Sequence, residues 1–158
     1  MLLVRFVHYL GMAMWIGGWL AMLLLVVKAR SESPQVRASL FGVLARAHTV
    51  VIGPGAILTL GSGILWSMAI VGAGDMQSRV APIGLWVMTA AGFVGGLLVV
   101  LVALPTAARL RSVAVPTADG QVLPAFEQQR KRLIAVSYVA GVLALVALFA
   151  SVLAPGMP

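Results

Sequence analysis

The chain has 158 residues, of which 61% are hydrophobic and only 9% charged, with a formal net charge of +7. A mean hydropathy of +1.07 excludes a water-soluble globular domain, and the length leaves room for one small helical bundle. The absence of cysteine excludes disulfides, thiolate metal sites and cysteine redox chemistry together, leaving His, Met, Tyr, carboxylate or backbone to hold a metal or cofactor.

Four uncharged apolar stretches, residues 6–27, 47–74, 80–108 and 133–158, divide the chain almost end to end. Each exceeds the ~20 residues that a helix needs to cross the hydrocarbon core. Lipid offers no hydrogen-bond partner to a bare backbone, so the stretches must be helices. The predicted fold is all-α: an integral membrane, antiparallel four-helix bundle forming one domain.

The first helix is expected over about residues 3–27. Its 22-residue apolar run exceeds a signal-peptide core, no small-x-small site follows, and Lys28, Arg30 and Arg37 come next. It therefore reads as an uncleaved span. After a polar loop, Pro34 suits the first turn of a second helix over 35–71. The spanning part of that helix is 49–71, and its cytoplasmic extension places Leu40, Phe41 and Leu44 on one face. Gly53-Pro54-Gly55 predicts a kink. An outer loop with Asp75 and Arg79 leads to Pro82, which opens a third helix over 82–104 ending at Pro105. The segment Thr106–Glu127, with Pro116, Asp119-Gly120 and Pro124, predicts irregular structure. A fourth helix is expected over 129–153, stopped by Pro155.

Basic residues are placed asymmetrically. Lys28, Arg30, Arg37, Arg46, Arg109, Arg111, Arg130, Lys131 and Arg132 fall between stretches one and two or three and four, against Arg5 and Arg79 on the other side. Basic residues are retained in the cytoplasm, so the basic loops should be cytoplasmic and both termini periplasmic, in a bacterial inner membrane. The nine form a rim suited to anionic lipid headgroups, and topology accounts for the positive charge without nucleic acid. Small residues recur at helical spacing: Ala13/Gly17/Ala21, Ala91/Gly95 and Gly92/Gly96. They suit close helix packing within the bundle, in a homo-oligomer or in a larger membrane complex.

His8 is the residue most suggestive of chemistry, because ionisable groups inside a membrane helix are costly and usually face the bundle interior. By turns it shares a face with Met12, Trp15 and Trp19. Depth counting adds Met68 and Met88 to the same outer layer. A His/Met set suits axial ligation of haem iron by His8, with Met68 or Met88 opposite, or Cu(I) held by His8, Met12 and Met68. The bland alternative is an interfacial histidine in a belt with Tyr9, Trp66 and Trp86. His48, beside Arg46, reads as an interfacial residue, with an inner-leaflet cofactor or quinone site as the sharper reading. It lies most of a bilayer thickness from His8, which disfavours one haem bridged by both. Glu32, Asp75, Asp119 and Glu127 all lie in loops or at helix ends, which weighs against an acidic proton relay. No P-loop or hydrolytic motif is present.

The run His8-Tyr9-Leu10-Gly11-Met12-Ala13-Met14-Trp15-Ile16-Gly17-Gly18 resembles the first helix of a superfamily of small bacterial membrane proteins. That superfamily includes the HemJ-type protoporphyrinogen oxidases and the CopD-type copper-resistance proteins. Arg46, Pro54 and Leu58-Thr59-Leu60 with Gly61 and Gly63 resemble the pattern of its second helix. The likeness covers about residues 3–70. It implies a haem- or porphyrin-linked membrane redox role with His8 as ligand. The HemJ-type enzymes carry a lysine early in helix three, where this chain reads Gly84-Leu85-Trp86-Val87-Met88-Thr89, with neither lysine nor histidine. Three readings follow: a haem b redox protein, a cofactor-free accessory subunit of a respiratory or photosynthetic complex, and a CopD-like copper-handling protein.

Overall fold

A computed structural model describes residues 1–72, 83–114 and 123–152. The expected outer loop with Asp75 and Arg79, the opening at Pro82, the turn residues Pro116 and Asp119-Gly120, and the stop at Pro155 lie outside the described residues.

The described chain is helical throughout, apart from short connections: α1 (Leu2–Ala29), α2 (Pro34–Ala47), α3 (Gly53–Gly72), α4 (Ile83–Leu98), α5 (Leu104–Val113) and α6 (Pro124–Val152). Two five-residue π turns, His48–Ile52 and Val99–Ala103, join α2 to α3 and α4 to α5 without a break. Four continuous helical rods result, each long and apolar enough to cross a membrane. The chain has the make-up of a multi-pass membrane protein.

Both π turns have the same local cause. Pro54 and Pro105 each stand two residues past the end of a π turn. A proline ring clashes with the carbonyl four residues back and has no N–H to bond it. Those carbonyls, of Val50 and Leu101, fall inside the π turns, where the ladder widens by one residue. Gly53 N–H accordingly bonds His48 O, and Leu104 N–H bonds Val99 O, five residues back. The disturbance expected at Gly53-Pro54-Gly55 takes the form of a π turn immediately before it. Pro105 likewise does not end the third rod: α5 carries it to Val113, and α6 begins at Pro124, so most of Thr106–Val113 and Pro124–Glu127 is helix rather than loop.

A tight connection joins α1 to α2. Ser33 caps α2, accepting from Val36 N–H at 3.4 Å, with Pro34 in its first turn. Arg37 braces it from inside, its Nε donating to Ala29 O and its Nη2 to Glu32 O, both at 3.1 Å.

Packing follows the sequence of contacts. Gly11 faces Gly55 and Thr59, and Gly18 faces Ile52, so α1 and the second rod run antiparallel. Gly92 meets Ala147 and Gly95 meets Leu143, so α4 and α6 do the same. One core cluster fills the basic end of the bundle around Trp19, Met22, Phe41, Leu110, Phe126 and Leu133, with the Phe41 and Phe126 rings edge to face. A second fills the middle around Trp15, Ile52, Ala56, Val99, Ala140 and Ala144. Among the described residues neither cluster reaches the first turns of α1.

Glycines set the closest approaches. A Cβ on Gly55 would lie 2.7 Å from Trp15 N and 2.8 Å from Gly11 O, backbone that cannot step aside. Gly96 gives Leu60 its seat in the same manner. The Ala13/Gly17/Ala21 stripe is exposed instead, with nothing within 4 Å of a Gly17 Cβ, so α1 packs through Gly11, Trp15 and Gly18.

Candidate functional site

His8 lies near the start of α1, against the middle of α3. Its Nδ1 is 3.1 Å from the carbonyl oxygen of Thr59 and 3.1 Å from Ser62 Oγ. A carbonyl only accepts, so Nδ1 carries the hydrogen. Ser62 spends its own hydroxyl hydrogen on Leu58 O at 2.5 Å, leaving its oxygen free to share the His8 donor. In the neutral ring the lone pair is then on Nε2, for which the described residues supply no partner. This arrangement, one nitrogen anchored to a carbonyl and the other bare, orients a histidine as a ligand.

The second rod is built to receive this ring. Thr59, Ser62, Gly63 and Trp66 follow an i, i+3, i+4, i+7 spacing and so occupy one face. A Cβ on Gly63 would lie 3.3 Å from His8 Cε1, so glycine leaves the room the imidazole uses. Thr59 turns its hydroxyl back to Gly55 O at 2.8 Å. Trp66 stands edge to face with His8 at 5.8 Å between centroids, and Tyr9 with both rings at 6.2 and 6.4 Å.

Arg5, one turn toward the N-terminus, stacks its guanidinium 5.3 Å over Trp66. Its Nε is buried without a hydrogen bond, and no described carboxylate pairs with it.

The other residues singled out from sequence divide. Met12 is half-buried one turn inward from His8 on the same helix. Trp15 and Trp19 are core, 2% and 5% exposed: Trp15 reaches Gly95 on α4, and Trp19 lies directly against Gly141 on α6. Trp15 thus packs in the core between the rods. Met68 is 65% exposed, two residues past Trp66 on α3. Met88 is half-buried on α4, whose main partner is α6. Among the described residues no three His, Asp or Glu side chains gather as a metal would require.

His48 is buried within the bundle, 1% exposed. Its Nδ1 donates to Leu44 O at 3.2 Å, and its Nε2 accepts from Ser137 Oγ at 2.7 Å. Both nitrogens are occupied, so it ties the start of the first π turn to α6 and has no lone pair to offer. It precedes Thr59 on the same rod by 11 residues, roughly 16 Å at a helical rise of ~1.5 Å per residue.

Sequence reasoning missed Thr59, Ser62 and Arg5 as members of the site. The one-face spacing of Thr59, Ser62, Gly63 and Trp66 was the available signal for the first two. The basic rim at the opposite end is arranged around Arg30, Arg37 and Arg130, with Lys28 paired to Glu32 at 2.8 Å and Arg130 to Glu127 at 2.6 Å.

Comparison with known proteins finds no matching family model, no matching curated protein and no matching solved structure.

Proposed function

We propose that this chain is a haem b-binding redox protein of the bacterial inner membrane, with His8 Nε2 as axial ligand. The observation that carries the reading is the orientation of His8: Nδ1 is anchored on the Thr59 carbonyl and Nε2 is left bare. The donor set fits the group. The His8 imidazole would ligate the iron, and Arg5, stacked on Trp66 with its Nε unpaired, would supply a cation for a propionate. Met12 is the methionine nearest along the helix to His8. Haem b supplies one-electron redox chemistry when bound. The protein's part is to hold the ring nitrogen and fix its tautomer through Thr59 and Ser62, with the Tyr9 and Trp66 rings set edge-on to the imidazole. The absence of lysine from Gly84-Leu85-Trp86-Val87-Met88-Thr89 favours a bound-haem role over porphyrinogen oxidation.

The test is an absorption spectrum, oxidised and dithionite-reduced, of protein purified from its native host in mild detergent. A Soret band that disappears in His8→Ala, with the bundle still monodisperse, supports the proposal. A colourless preparation overturns it.

One feature favours the accessory-subunit reading. The Ala13/Gly17/Ala21 stripe faces outward with no use inside the bundle, and such a surface suits close docking of another membrane helix. A colourless chain that always co-purifies with larger subunits would select that reading. A colourless chain stabilised by Cu(I) would select copper handling.

A further inference from the structure

We propose that the basic end of the bundle contains a specific binding site for the phosphate headgroup of an anionic membrane phospholipid, formed by Arg30, Arg37 and Arg130. The site is separate from the His8 region and stands whether or not haem binds there.

A cleft of about 290 Å³ opens where the end of α1, the start of α2 and the start of α6 meet, lined by Val26, Ala29, Arg30, Arg37 and Arg130. Three of its five lining residues are arginines contributed by three different segments, so the fold, and not one charged run, creates the concentration of charge. Of the nearby carboxylates, Glu127 offsets the charge of Arg130, and the cleft stays positive through Arg30 and Arg37. Glu127 is engaged by Arg130, and Glu32 by Lys28. Arg30 has no ion pair or side-chain hydrogen bond among the described residues. Arg37 gives its Nε and Nη2 to the carbonyls of Ala29 and Glu32, which satisfies donors and fixes its place without neutralising it.

Arg130 is held as well, between Glu127 and the Phe41 ring, its guanidinium 5.4 Å from the ring centroid. Two of the three cations are therefore preorganised, and the third is free to close on a ligand. Planar guanidinium groups match the paired oxygens of a phosphodiester.

The surroundings select a lipid over a soluble phosphate. The cleft lies at the end of a rod long and apolar enough to span a membrane. Val26 and Ala29 give it an apolar wall. Leu24 and Val27, two turns and one turn before Arg30, are 74% and 64% exposed and offer a path along α1 for an acyl chain. A basic pocket beside apolar helix surface at this depth has the make-up of an anionic-headgroup site.

The experiment uses the full chain in neutral detergent, titrated with phosphatidylglycerol, phosphatidylcholine or inorganic phosphate and read by native mass spectrometry. One phosphatidylglycerol should be retained in preference to phosphatidylcholine. Arg30→Gln, which breaks no contact of the fold, should weaken it about fivefold, on the order expected for one arginine near a lipid surface. Arg37→Gln should weaken it at least as much. Arg109→Gln with Arg111→Gln, which removes two charges from exposed positions of the same end, should leave it within twofold. Equal retention of both lipids, an equal loss in the Arg109/Arg111 variant, or no loss in Arg30→Gln overturns the proposal. Displacement of the lipid by millimolar inorganic phosphate also overturns it, in favour of a soluble-phosphate site.

Discussion

His8 Nδ1 and the carbonyl oxygen of Thr59 lie 3.1 Å apart, joining the start of α1 to the middle of α3. Because the acceptor is backbone, no substitution at Thr59 removes it, and the tautomer of His8 is set by the helix itself. Ser62 Oγ adds a second acceptor, held in turn by Leu58 O. If His8 ligates haem as proposed, Ser62→Ala should keep the Soret band while lowering haem affinity about tenfold, the usual scale for a hydrogen-bond partner of a ligating histidine. Haem titration of the apoprotein measures it. Complete loss of the band, as expected for His8→Ala, would contradict the anchoring role given to Thr59.

His48 and Ser137 make the opposite kind of pair. With Nε2 accepting from Ser137 Oγ at 2.7 Å in a buried setting, Ser137→Ala strands an acceptor away from water. The expected cost is about 1–3 kcal/mol of stability, read as a lowered unfolding temperature in detergent. On the proposed haem reading, the absorption spectrum of that variant should be unchanged, because both nitrogens of His48 are occupied. A spectral change without a stability change would reverse the roles assigned to the two histidines.

The crossing of Gly11 and Gly55 should tolerate no side chain. Gly55→Ala places a Cβ 2.7 Å from Trp15 N and 2.8 Å from Gly11 O, and the expected loss is about 1–3 kcal/mol. Gly17→Ala meets nothing within 4 Å and should leave the stability of the isolated bundle within about 0.5 kcal/mol. Parallel thermal unfolding of the two variants in detergent tests the packing: equal losses would mean that α1 uses its other face.

Membrane orientation can be read directly, since the chain has no cysteine to interfere. Leu2→Cys, at an exposed position on the first turn of α1, should react with a membrane-impermeant maleimide on intact cells stripped of their outer membrane. Arg30→Cys, just past the end of α1, should react only after the inner membrane is opened. The reverse pattern would place the basic end outside.

Hydropathy and chain length were enough to establish four apolar rods, because a bilayer demands continuous apolar helix and the stretches are each long enough to supply it. Proline chemistry was legible only in part. Pro54 and Pro105 signal a disturbed ladder, but whether a helix bends, stops or widens depends on what packs beside it. Here His48 is tied to Ser137, and Leu104 packs over Gly53, with both rods continuing through their π turns. Residue types alone separated neither histidine from the other. His8 and His48 each bond a carbonyl through Nδ1, and the difference lies at Nε2, where residue 137 arrives from a rod 89 positions away for one and no described residue arrives for the other. Hydrophobic pattern determined which segments are helix. Only tertiary packing decided which face of α1 turns inward and which arginines converge on one cleft, because those outcomes depend on helix rotation, and apolar periodicity is nearly silent about rotation when every face of a helix is apolar.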